Sequence, residues 1–173
     1  QIAPNIEPIM GSTLPFSKKM GRLAGAVFAA AALVSFDFIS GRVGLWTMYT
    51  GAAYALVGYG AGWFFENKER WTHKHRLGFA LGATLFYDGA TAFLFGWQFG
   101  QPLAVTLAGQ VPFTAYHLIG NAAAVLVLSP LMEMAVVENK AIDAALQSVT
   151  RARRLRLSRA WRACPLSASR PAC

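Results

Sequence analysis

Charge is what this chain lacks. Only 14% of its 173 residues are Asp, Glu, Lys or Arg, against roughly 25% in a soluble domain. With 55% hydrophobic residues and a mean hydropathy of +0.38, that deficit excludes an ordinary soluble domain and indicates an integral membrane protein. Cysteine is also scarce. Cys164 and Cys173 both lie in the last stretch, so no disulfide framework is expected. The chain has no Gly-rich phosphate loop ending in Lys-Ser/Thr and neither HExxH nor GxSxG. It is therefore not expected to be an enzyme or to hydrolyse ATP itself, and no cofactor is implied. No pattern of basic, apolar and small segments precedes Gln1, and the opening QIAPNIEPIM reads as if it lay within a longer protein.

The net charge of +8 is local. Seven arginines and no acid follow from Arg151 onward, which leaves about +1 for the remainder. That distribution argues against a nucleic-acid-binding surface. The stretch AIDAALQSVTRARRLRLSRAWRA can form a basic amphipathic helix with Leu155 and Trp161 on it, attracted to anionic lipid. The expected organisation is a transmembrane domain over residues 1–137 and a basic cytoplasmic tail over 138–173.

A helix needs about 20 mostly apolar residues to cross a bilayer. Four stretches qualify: Leu23 to Ser40, Leu45 to Phe65, Leu77 to Trp97 and Phe113 to Val137. Ile6 to Phe16 holds two prolines and reads as the end of a further, broken helix. Pro112 is read as the entry to the last span and Pro130 as a bend near its exit. The expected fold class is thus an all-α compact bundle of four full spans and one partial helix.

Basic residues set the orientation. Lys18, Lys19 and Arg22 precede the first span, and Lys68, Arg70, Lys74 and Arg76 lie between the second and third. The opposite loops hold Arg42 in one case and no base in the other, FGQPLAVTLAGQV. All basic segments, with the tail, fall on one side, expected to be cytoplasmic. Trp46, Trp63, Trp71 and Trp97 sit at span ends, where indole prefers the interface. Gly21 and Gly25, Gly58 and Gly62, and Gly78 and Gly82 form four-residue pairs that let helix backbones approach closely.

Ionisable groups inside spans are costly and normally face protein or water. Asp37 lies fifteen residues past Arg22 and Asp88 twelve past Arg76, rises of roughly 22 and 18 Å. Both belong to the half of the membrane opposite the basic loops. His117 and Asn121 share a helix face near the start of the fourth span, and Glu7 is expected to join them. These groups, among aromatics such as Phe36, Tyr87 and Phe113, outline a ligand pocket open to the exterior. His73 and His75 in WTHKHR, a basic stretch that itself holds no carboxylate or cysteine, read as loop residues, not a metal site. Glu133 lies at the basic side and is expected to pair with a cation of the second basic loop.

PNIEPIM, GLWTMYTGAAYALVGYGAG and VPFTAYHLIGNAAAVLVLSPLME resemble substrate-binding S components of energy-coupling factor (ECF) transporters, over about residues 4 to 137. The resemblance implies six helices with both termini cytoplasmic and a vitamin or related micronutrient bound near the outer face. It also implies docking on a transmembrane coupling subunit driven by two ATPase subunits, in a bacterial cell membrane. Carried over, the motifs place His117 and Asn121 beside the pocket and Asn5 and Glu7 near its covering loop. Asp37, Tyr87 and Asp88 come from depth and position alone. Only four full spans and one partial helix are counted, so the first helix of the family pattern is expected to be missing. A competing reading makes the chain a stand-alone secondary transporter or channel with Asp37 and Asp88 as proton or cation sites.

Overall fold

The computed structural model describes residues 8–66 and 72–163. Six α-helices follow one another: α1 (Ile9–Met20), α2 (Arg22–Ile39), α3 (Leu45–Glu66), α4 (His73–Gln98), α5 (Leu103–Met132) and α6 (Lys140–Ala163). A π-helical turn, Glu133–Val137, extends α5 just past Pro130. No strand occurs among the described residues, and the fold is an all-α membrane bundle. The chain divides into two compact units, Gln1–Val137 and Glu138–Cys173; α6 belongs to the second.

Burial in the first unit is inverted relative to a soluble protein. Thr13, Ser17, Thr84, Asp88, His117, Asn121 and Ser129 are buried, while Leu23, Val27, Phe38, Leu56, Phe93 and Ile119 are exposed. Lipid as the surrounding solvent accounts for both, since polar groups turn inward and apolar ones face hydrocarbon.

Three helical stretches are long and apolar enough to cross a membrane: Arg22–Ile39, His73–Gln98 and Leu103–Val136. This corrects the expected four. The second expected span is a helix of 22 residues, α3, and it is not among these three. Its Thr47, Thr50, Gly51, Tyr54 and Gly58 are buried against neighbouring helices. A second correction concerns the last span. FGQPLAVTLAGQV is not an outer loop: α5 begins at Leu103, behind Pro102, and carries Pro112 inside it. Proline is well placed at a helix start, and Leu103 to Gln110 contains nothing that stops a helix. Third, the expected end of a broken helix is a helix of 12 residues, α1, with Pro15 inside it; it runs past the expected Phe16 to Met20 and includes Lys18 and Lys19 in its last turn. Fourth, His73, Lys74, His75 and Arg76 open α4 rather than forming a loop, with Thr72 and His75 in a reciprocal cap.

Glycine positions the first three helices. Gly21 has φ 88° and ψ 175°, a conformation that is essentially glycine's alone, and it joins α1 to α2 with no further residue between. Ser17 and Gly25, each four residues from this turn, touch: a Cβ on Gly25 would fall 2.2 Å from Ser17 Oγ. The same face of α2 meets α3 backbone to backbone, since a Cβ on Gly58 would lie 2.3 Å from the Gly25 carbonyl oxygen. Gly25, Gly58 and Gly62 are thus spent on contacts between α2 and α3, and Gly21 on the turn. Gly78 and Gly82 are not; a Cβ on either meets nothing within 4 Å.

Pro15 removes the amide that would bond the Gly11 carbonyl one turn earlier. Ser129 Oγ on α5 donates to that carbonyl at 2.7 Å, so a hydroxyl from the neighbouring helix replaces the missing intrahelical bond. At the basic end Arg22 Nε donates to Glu66 Oε2 at 2.6 Å. Glu133 pairs with Arg76 and with Lys18, the latter at 3.5 Å. Arg76 is the expected partner from the second basic segment, and this cluster ties α1, α4 and the π turn together.

Candidate functional site

Two polar rungs join α4 to α5 away from the basic end. Thr84 and Asp88 are one turn apart on α4, and Asn121 and His117 one turn apart on α5. Asn121 Nδ2 donates to Thr84 Oγ1 at 2.9 Å. Thr84 Oγ1 passes its own proton back to the Ala80 carbonyl at 2.8 Å. His117 Nδ1 lies 2.6 Å from Asp88 Oδ1. The antiparallel course of the two helices produces this matching register: a step of four residues up α4 meets a step of four down α5.

Two of the expected aromatics, Tyr87 and Phe113, fall around these rungs; Phe36 packs instead against the hydrophobic core. Tyr87 is buried, with its ring edge-on to Tyr54 of α3 at 4.7 Å and to His117 at 5.6 Å. Phe113 meets the other side of the His117 ring at 5.8 Å. Tyr87, Asp88, His117 and Asn121 are therefore brought together. Asp37 is buried near the end of α2, where Thr47 Oγ1 donates to its Oδ2 at 2.7 Å; that bond links α2 to the first turn of α3. Asn5 and Glu7 lie outside the described residues.

Two acceptors in this cluster stand out. Asp88 is 1% exposed and Asn121 0%, yet Asp88 Oδ2 and Asn121 Oδ1 have no hydrogen-bond partner among the described residues. Leaving a buried polar atom unsatisfied costs about 1–3 kcal/mol, and such atoms in a native fold call for a reason.

A cavity of about 320 Å³ adjoins the cluster, lined by α3, α4, α5 and Gln101. Trp46, Phe95 and Phe113 supply aromatic walls; Gln101, Gln110, Thr91 and Thr106 supply polar groups. Trp46 and Phe95 meet edge to face at 5.3 Å. Phe113 and Thr91 belong to both features. Phe113 covers the His117 ring, and Thr91 is three residues past Asp88, bonded to the Tyr87 carbonyl at 2.8 Å. The cavity volume falls at the small end of ligand pockets, about 300–1,000 Å³, and no charged side chain lines it.

Sequence reasoning did not single out Thr84, Thr91, Gln101, Thr106 or Gln110. A threonine inside an apolar helix carries little signal alone because its hydroxyl can bond its own helix, as Thr84 and Thr91 do. Gln101 and Gln110 fell in the segment taken for a loop. A signal was present for Thr84: it stands four residues before Asp88, the spacing that separates His117 from Asn121. Among the described residues no group of three or more His, Cys, Asp or Glu side chains is placed to hold a metal ion. No protein-family model matches the chain, and neither a curated protein nor a solved structure matches it.

Proposed function

We propose that this chain is the substrate-capturing membrane subunit of an ECF-type importer and that it binds a vitamin or related micronutrient in the cavity between α3, α4 and α5. The observation that carries the reading is a cavity of ligand size walled by aromatic and amide side chains, one turn of α4 from the buried Asp88–His117 pair. A small flat ligand with hydrogen-bonding groups on its edge suits such a site. Its ring packs on Trp46 and Phe113, and its polar edge meets Gln101 and Gln110. Three apolar membrane-length stretches and the quoted S-component-like motifs agree with this role. A transmembrane coupling subunit and two ATPase subunits in a bacterial cell membrane are the partners it calls for, with the basic end on the cytoplasmic side.

One observation favours a second reading. An acid and a histidine paired at 2.6 Å within membrane helices are also what a proton-coupled transporter needs. Affinity purification of the full-length protein from its native membrane separates the two. Recovery of an ATPase pair with a coupling subunit is the expected result. Proton-driven uptake by vesicles containing this chain and no ATPase overturns it.

A further inference from the structure

The third glycine pair faces open space rather than another helix. Gly78 and Gly82 on α4, with Gly60 on α3, form the floor of a groove of about 630 Å³. Leu56, Phe79 and Phe86 rise on its sides, and almost nothing polar is exposed in it. From Gly78 to Phe86 it runs about 12 Å along the α4 axis.

Its charge is one-sided. Lys74 is exposed and stands four residues before Gly78 and eight before Gly82, so it caps the same face of α4 at the basic end. His73, also exposed, adjoins it. Trp63, 61% exposed and three residues beyond Gly60 on α3, marks the interfacial level on the facing wall. An apolar channel that ends at a lysine and an interfacial indole is the outline of an anionic amphiphile.

We propose that the groove between α3 and α4 is a site for an anionic phospholipid of the surrounding bilayer, its acyl portion over Gly78 and Gly82 and its phosphate against Lys74. The site is separate from the cavity described above and requires only that the bundle be membrane-embedded. The glycines matter because any side chain on them occupies the channel. The lysine selects the headgroup, and a basic residue near an anionic membrane surface favours it by about fivefold.

Native mass spectrometry of the purified full-length protein, titrated with phosphatidylglycerol or phosphatidylcholine of matched chains, tests this. Wild type is expected to retain phosphatidylglycerol several-fold more strongly. Lys74→Ala removes the preference and leaves weak binding of both lipids. Gly78→Leu with Gly82→Leu abolishes the tightest site for both, whereas Gly89→Leu, at another open position of α4, leaves it intact. Equal retention of the two lipids by wild type overturns the proposal. So does full binding by the Gly78→Leu, Gly82→Leu protein, or a dimer that these two substitutions dissociate. Circular dichroism of each variant establishes that it folds, and Gly82→Leu alone, with its smaller change, is expected to show the same loss in part.

Discussion

Replacing His117 by leucine leaves the Asp88 carboxylate, 1% exposed, without the ring nitrogen that stands 2.6 Å from it. Removing one member of a buried pair of this kind costs about 3–5 kcal/mol, because the other remains desolvated and uncompensated. For a protein of this size that corresponds to a fall of about 6–20 °C in Tm. Replacing Asp88 as well, in the Asp88→Leu, His117→Leu protein, removes the stranded charge and puts an apolar contact between α4 and α5. The double variant is expected to unfold well above the His117→Leu protein and within about 1–2 kcal/mol of wild type. Thermal unfolding of the three purified proteins in mild detergent, followed by loss of the monodisperse species, reads the effect as a double-mutant cycle. Additive losses, with the double variant the least stable, would refute the account of the pair as an interhelical rung.

Two further substitutions probe the packing. Gly58→Val drives a Cβ to 2.3 Å from the Gly25 carbonyl oxygen, so α2 and α3 must separate. A loss of at least about 1–3 kcal/mol is expected by the same thermal assay, while Gly89→Val, in open space, leaves Tm near wild type. Ser129→Ala strands the Gly11 carbonyl freed by Pro15 and is expected to cost about 0.6–1.7 kcal/mol. Adding Pro15→Ala restores the intrahelical amide donor and recovers part of that loss; no recovery contradicts the assigned role of Ser129.

Much of the helical order was legible because lipid imposes long apolar runs and charge asymmetry. The expected span from Leu23 to Ser40 corresponds to α2 within one residue at each end, and Leu45 starts α3 as expected. Proline misled at the last helix. Pro112 looked like an entrance, yet α5 begins nine residues earlier, because apolar residues on both sides of a proline can keep a membrane helix going. At the candidate site, the polar residues were visible from their cost in lipid, and Asp88, His117 and Asn121 meet along the α4–α5 seam. Asp37 did not advertise its partner, because Thr47 is ten residues away across a turn. The cavity's amides were hidden for a different reason. Gln101 and Gln110 are ordinary residues in a polar-looking stretch, and only the fold brings them opposite Trp46. Likewise, the three glycine pairs are alike in sequence, and tertiary packing alone makes Gly25, Gly58 and Gly62 contacts and Gly78 and Gly82 a channel.

The central claim is that the cavity walled by Trp46, Gln101, Gln110 and Phe113 holds a small molecule. The most direct measurement is mass spectrometry of small molecules extracted from the purified full-length protein, repeated for Gln110→Ala, Asn121→Ala and the Gly89→Leu control. The account predicts one non-lipid compound, near one per chain, in wild type and Gly89→Leu, and its loss from the Gln110 and Asn121 variants while both remain folded. The same compound at undiminished amount in all four proteins, or no compound in any of them even after exposure to a mixture of vitamins, would contradict it.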